Sequence, residues 1–434
     1  MRSPQPWLET LLPRRPPQTG QTEGDKTVES PKPKTELPPR RMHDSYVELV
    51  LPFLSQASLL EQYTNVAGGI RNGKLMEHLD SLAGSAAYKH ILGPSTEDIT
   101  MSSTDFYLVT AAVERMDLLH YIQQGDIHDL RLSGNVIYTG KSSIEVTVQM
   151  VGLPRSSHER EMPIMVGRFT MVCRDAFTHK AREVNQLVLG TPEEWALNAL
   201  GKSHAELRKT TQALSLSRVP PSQAEAQVVH DMFLSRHPQG GEEFLSSTFV
   251  PARTQRTHLP SGGKDEYGND IEWVWMEDTA LESCQVMFPQ DRNVHGKVFG
   301  GYLMKLAYEL AFATASQHTQ KRTLGFLCLD SIAFKLPVPV GAILKLKSGI
   351  GYSDSRVVHI GVRANVLDVN TGEEKTTNEF WFTWDANGLG TKGVVPRTYE
   401  EAMTWLESRR RLALGAEIRA IRQGSIEFQR LQHA

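Results

Sequence analysis

Between residues 73 and 91 apolar side chains recur at helical spacing (Leu75, Leu79, Leu82, Ala86) with no proline among them. That pattern predicts a helix with one face toward a core. A β-rich run at 46–51 precedes it. Four runs follow, at 106–116, 130–138, 143–151 and 165–173, rich in β-branched residues, partly alternating, and divided by Gly, Asp and Pro. These predict strands. The same order of strand, helix and four strands then returns. Runs at 273–276 and 284–288 open it, a helix spans about 301–318, and strands are expected at 324–334, 343–352, 357–367 and 377–384, the last two joined by an Asn370-Thr371-Gly372 turn.

The two halves also align residue by residue. Asn65, Gly73 and Asp80 in the first have the spacing of Asn293, Gly301 and Tyr308 in the second. Ser133 to Tyr138 corresponds to Ser348 to Tyr352, one residue shorter, and Glu145 and His359 each lie seven residues beyond their tyrosine. A repeat of this length means two copies of one α+β domain, since solenoid repeats run roughly 20–50 residues. The expected organisation is a leader at 1–42, copy one at 43–190, a helical connector and loop at 191–272, copy two at 273–390, and a basic amphipathic helix within 391–434.

Composition narrows the class without fixing it. Hydrophobic content of 40% and charged content of 22% are those of a globular protein. A net charge of −3 offers no basic footprint for nucleic acid. The three cysteines, Cys173, Cys284 and Cys328, form no CxxC pair, which argues for a reducing compartment and against a structural zinc. No run of about 18 apolar residues predicts a membrane span. The first 42 residues hold nine of the 23 prolines and read as a disordered leader; its basic start, with Trp7, Leu8, Leu11, Leu12, Arg14 and Arg15, fits either a presequence or an unstructured end.

Several motifs yield to plainer explanations. Residues 134–142 imitate a phosphate-binding loop, but five residues separate the glycines where four are required, and a strand follows where a helix is needed. His78 and His295 form no pair with zinc-site spacing, so no metal is expected.

The segment from Asn293 to Ala311, the first copy's Lys74 to Gly84, His230 to Ser235 in the connector, Trp275 to Asp278 and Asp330 to Val338 together resemble the acyl-coenzyme A thioesterases, in their mitochondrial branch. The likeness covers roughly residues 45–410. It implies a double hotdog fold, each copy a central helix wrapped by an antiparallel sheet, and hydrolysis of acyl-CoA to free fatty acid and CoA with no cofactor. It also implies a mitochondrial matrix location and assembly into trimers of double units. In that family one Asp and one Asn from opposite copies form the working pair, which carries over to Asp80 and Asn293.

The chemistry of these residues suits the task. Thioester hydrolysis needs a positioned water, a base, and donors for the developing oxyanion. A helix entry offers unpaired N–H groups and a positive dipole end, and Gly73, Gly300 and Gly301 stand where such entries are predicted. Asp80, bordered by Met76, Ala83 and Ala87 on its helical face, should have its pKa raised by burial. Its plain alternative is a helix Asp bonded to a neighbouring strand, and that of Asn293 a turn former. In the mirror pairing of Asn65 with Tyr308, a phenol is a poor base at neutral pH, so one active site per chain is expected. Lys141, Ser142 and Ser143, with Ser355 and Arg356 as counterparts, resemble the family's CoA-contacting loops; solvated surface charge is the alternative. Two rival functions stay open: a non-catalytic acyl-CoA binder, and a hotdog dehydratase using His295.

Overall fold

In the computed structural model, residues 37–432 are described apart from 95–104, 123–125, 214, 217, 235–258, 260–261, 266, 292–297, 331 and 387–390. Copy one runs β1 (Val47–Leu51), α1 (Ala57–Tyr63), α2 (Asn72–Leu92), β2 (Phe106–Val113), β3 (Met116–Leu118), β4 (Leu130–Thr139), β5 (Ser143–Gly152) and β6 (Met162–Asp175). The helices α3 (Pro192–Ala213) and α4 (Gln223–Leu234) lead to copy two. There β7 (Leu281–Val286) precedes α5 (Gly300–Thr319), β8 (Gly325–Leu329), β9 (Ile332–Ala333), β10 (Ile343–Ser353), β11 (Val357–Leu367) and β12 (Glu374–Asp385), and α6 (Tyr399–Gln432) follows.

Each long helix lies in the cradle of its own sheet, which is the double hotdog arrangement. The helix α2 buries Leu75, Met76, Leu79, Ala83, Ala86 and Ala87 completely and stops at Gly93, whose φ of 105° suits glycine alone. Ala307, Ala311 and Ala315 do the same for α5. Small side chains on these faces let the helix axis sit close to the strands.

Two of the expected strands are broken where acids fall. The 106–116 run divides at Glu114, whose N–H donates to Arg168 O, and the 324–334 run divides at Asp330, whose N–H donates to Trp381 O. β2 and β3 both stay paired with β6, but at each break the partner across the seam changes. The strand β3 pairs with β8 (Asp117↔Cys328, Met116↔Leu329), and β2 pairs with β9 (Val113↔Ile332, Ala112↔Ala333). The two sheets thereby become one twelve-stranded sheet, ordered β7-β10-β11-β12-β8-β3-β6-β5-β4-β1, with β2 and β9 branching from the seam. Arg115 ties the seam, donating to Asp117 on its own copy (2.7 Å) and to Asp330 on the other (2.5 Å).

The duplication reaches beyond the predicted core. Ser45 Oγ donates to Met42 O and accepts from Val136 N–H; Thr279 Oγ1 donates to Met276 O and accepts from Ile350 N–H. The connector helix α3 and the last helix α6 are counterparts too. Each opens with a reciprocal box, Thr191 with Glu194 and Thr398 with Glu401. Each packs on the outer face of its sheet at a position ten residues after that threonine. In α3 this position is Gly201, where a Cβ would come within 2.7 Å of Tyr138 Cβ. In α6 it is Ser408, and there the glycine is on the strand: a Cβ on Gly351 would meet Ser408 Oγ at 2.1 Å. The close approach was kept while the glycine changed sides.

Candidate active site

The central helices α2 and α5 pack against each other about a pseudo-two-fold axis. Glu77 and Lys305 occupy equivalent positions and meet across it at 2.8 Å. Such packing brings each helix entry to the middle of the opposite helix. Gly301 lies against α2 so tightly that a Cβ there would stand 2.9 Å from Glu77 Cα and 3.0 Å from Asp80 Cβ. Gly73 lies against α5, where a Cβ would meet Tyr308 at 3.1 Å. The three glycines singled out in the sequence therefore serve two separate places: Gly300 and Gly301 face Asp80, and Gly73 faces Tyr308.

Asp80 has no exposed surface. Its Oδ2 accepts from Gly301 N–H at 2.6 Å and its Oδ1 from the Thr110 hydroxyl at 2.8 Å. Burial raises its pKa to about 6, against the opposing pull of those two hydrogen bonds. The carboxylate thus rests on the positive end of α5, a helix from the other copy. Near the Gly300 Cα, the tip of the Phe334 ring closes the same space: a Cβ on Gly300 would stand 3.2 Å from Asp80 Oδ2 and 3.3 Å from Phe334 Cζ.

At the mirror position the phenol of Tyr308 replaces the acid. Its hydroxyl accepts from Asn72 Nδ2 at 3.3 Å, burial pushes its pKa up, and its ring packs on Phe326, Phe382 and Trp384. Asn65 holds its own loop, accepting at Oδ1 from the N–H groups of Ala67 and Gly69 and donating to Ile70 O. Asn293 and His295 lie outside the described residues. His78, the other histidine weighed in the sequence, is bonded to the Tyr63 hydroxyl, and burial lowers its pKa to about 4.

The residues proposed for CoA sit on two hairpins in opposite halves of the sheet. Lys141, Ser142 and Ser143 form the β4–β5 turn, closed by Gly140 N–H donating to Ser143 O. The Lys141 side chain is 83% exposed, 3.5 Å from Glu183, beside a hollow of about 620 Å³ lined by Trp195 and Asn198 among others. On the β10–β11 turn, Ser355 Oγ accepts from Asn269 Nδ2, and the Arg356 guanidinium lies 3.5 Å above the Tyr267 ring. The first turn is in register, through β6, with the strand position of Thr110: Ile144 pairs with Met171, which pairs with Thr110.

Thr110 was missed in the sequence. The signal was faint: it has the same parity as the buried Phe106 and Leu108 on β2, a polar residue on an inward face. Phe334 was missed for another reason, since only the β9–β2 pairing carries it toward Asp80.

No protein-family model matches the chain. Among curated proteins it is 34% identical over 375 residues to the human mitochondrial acyl-coenzyme A thioesterase 9, covering 86% of this chain and 78% of that one. To the Mus musculus protein of the same name it is 32% identical over 380 residues, covering 88% and 80%. Among solved structures, an acyl-CoA hydrolase from Staphylococcus aureus in complex with butyryl coenzyme A is 24% identical, covering 36% of this chain and 98% of that chain, with a TM-score of 0.34. With its two wrapped helices, an acid from one copy set on the helix entry of the other, and identity to these relatives along most of its length, the chain belongs to the acyl-coenzyme A thioesterase family.

Proposed function

We propose that the chain hydrolyses acyl-CoA thioesters to free fatty acid and CoA, with Asp80 as general base. The observation that carries this is the setting of Asp80: sealed from solvent, bonded to the entry of the opposite helix, and with a pKa of about 6. A base with that pKa is ionised at neutral pH yet still proton-seeking. It takes a proton from water, the hydroxide adds to the thioester carbonyl, and the tetrahedral intermediate expels CoA as its thiolate, which is then protonated. Gly301 N–H holds the base, so the oxyanion falls to the remaining donors at the start of α5, with Asn293, seven residues before it in the sequence, orienting water or carbonyl. Lys141 to Ser143, or Ser355 and Arg356, take the CoA phosphates from outside the sheet. The step as written calls on no metal or organic cofactor.

The test is thiol release from an acyl-CoA series. Wild type should turn over and Asp80→Ala should lose on the order of 10² to 10⁴ in kcat. The wild-type rate should rise with pH through about 6, as Asp80 gives up its proton. Tight acyl-CoA binding without turnover would support the non-catalytic binder; full activity in Asn293→Ala would remove that residue from the pair. The relatives' names support a mitochondrial location, of which we propose the matrix, and the family likeness supports a trimer of double hotdogs, which sedimentation of the full chain would read directly.

A further inference from the structure

We propose that Phe334 is the specificity-determining residue at the mouth of the Asp80 site, setting how wide an acyl group can be next to its carbonyl. This rests on the thioesterase reading above and deepens it. Asp80 itself has no exposed surface, whereas Thr110, Gly300 and Phe334 around it are each partly exposed. Among the described residues these three border Asp80 on the Gly300 side, while Phe299 stands on the Gly301 side, its Cε1 2.8 Å from the place a Gly301 Cβ would occupy; the thioester is taken to approach past the first three. Two of them cannot regulate width: Gly300 has no side chain, and the Thr110 hydroxyl is committed to Asp80 Oδ1. The third is a phenyl ring whose tip and the Asp80 carboxylate converge on one point, 3.3 and 3.2 Å from the place a Gly300 Cβ would occupy.

The ring is held from both ends. Its backbone N–H donates to Ala111 O at 3.0 Å, next to Thr110, so one strand pairing across the seam delivers both the hydroxyl that holds the base and the ring that narrows the approach. Its ring stands at 81° to that of fully buried Phe380, centroids 6.4 Å apart, and Phe380 stacks in turn on Phe382. With that aromatic row behind it the ring has no room to withdraw into copy two. Thr110 has a yielding neighbour: buried Met171 Sδ lies 3.5 Å from its hydroxyl, on a side chain with several rotatable bonds. A slim, linear acyl group can pass between the ring and Thr110. One branched at the α-carbon must press on the ring.

The experiment compares kcat/KM for linear butyryl-CoA with that for isobutyryl-CoA, which has the same carbon count but an α-branch, in wild type, Phe334→Leu and Phe334→Ala. The branched-to-linear ratio should rise at least tenfold in Phe334→Ala, mainly through KM, with Phe334→Leu between. The acidic limb near pH 6 should stay where it is, because the surroundings of the base keep both hydrogen bonds. A ratio within twofold of wild type in both variants, with the proteins folded by circular dichroism, would overturn the role of Phe334. Absence of turnover by wild type across the whole linear acyl-CoA series would instead overturn the thioesterase reading.

Discussion

At the scale of single residues, Asp80 shows how a site acts against the fold that holds it. Its carboxyl has a pKa of about 6 in the folded chain against 3.8 for an unperturbed aspartate. The folded state therefore binds the proton more tightly than the unfolded one. Below about pH 4 both states are protonated and no penalty exists. As pH rises toward 6 the unfolded chain releases its proton first, stability falls, and above 6 the full penalty, about 3 kcal/mol for a shift of roughly two units, is present. Asp80→Asn should thus be inactive, yet at pH 7.5 no less stable than wild type, and its advantage over wild type should vanish by pH 4. Urea unfolding at both pH values checks this. An Asn variant markedly less stable at pH 7.5 would mean that the two hydrogen bonds outweigh desolvation.

Among elements, the decisive contact is between α2 and α5. In a symmetric pair of identical copies, the residues at positions 77 and 305 would be the same and would face each other; duplication allowed them to become Glu and Lys, paired at 2.8 Å with side chains 14% and 18% exposed. Lys305→Glu should set two carboxylates against each other there, lowering stability by about 1–2 kcal/mol, more than an exposed pair would. The charge swap Glu77→Lys with Lys305→Glu should recover most of that loss in thermal unfolding. The helices themselves were readable from spacing: 73–91 became Asn72–Leu92 and 301–318 became Gly300–Thr319, because a buried helical face imposes its period on the sequence. The short α1 and the full length of α6 were not, since neither shows so regular an apolar repeat.

For the molecule as a whole, one continuous sheet joins two copies that have diverged in opposite directions. Copy one has an acid at the helix contact; copy two has Tyr308 there, packed by Phe326, Phe382 and Trp384. The second position should therefore contribute packing and no chemistry. Tyr308→Phe is expected to keep wild-type turnover, because the 3.3 Å bond from Asn72 that it removes is weak; a fall of tenfold or more would show that the mirror site takes part. Arg115, bridging Asp117 and Asp330, makes the seam a joint between copies, so the halves should unfold together.

What the sequence determined by itself was local and periodic: the two helices, most of the strands, the duplication, and the divergence of Asp80 from Tyr308 at one aligned position. Each of these leaves a trace in neighbouring residues, because burial of one face is felt every second or every third to fourth residue. Only the tertiary structure decided partners. That β3 and β8 fuse the sheets, that Gly301 rather than Gly73 holds Asp80, and that Thr110 and Phe334 arrive on either side of it all depend on which strands and helices meet. Strand edges and helix entries carry the same backbone groups whatever their sequence, so choice among them is made by the packing of the whole chain.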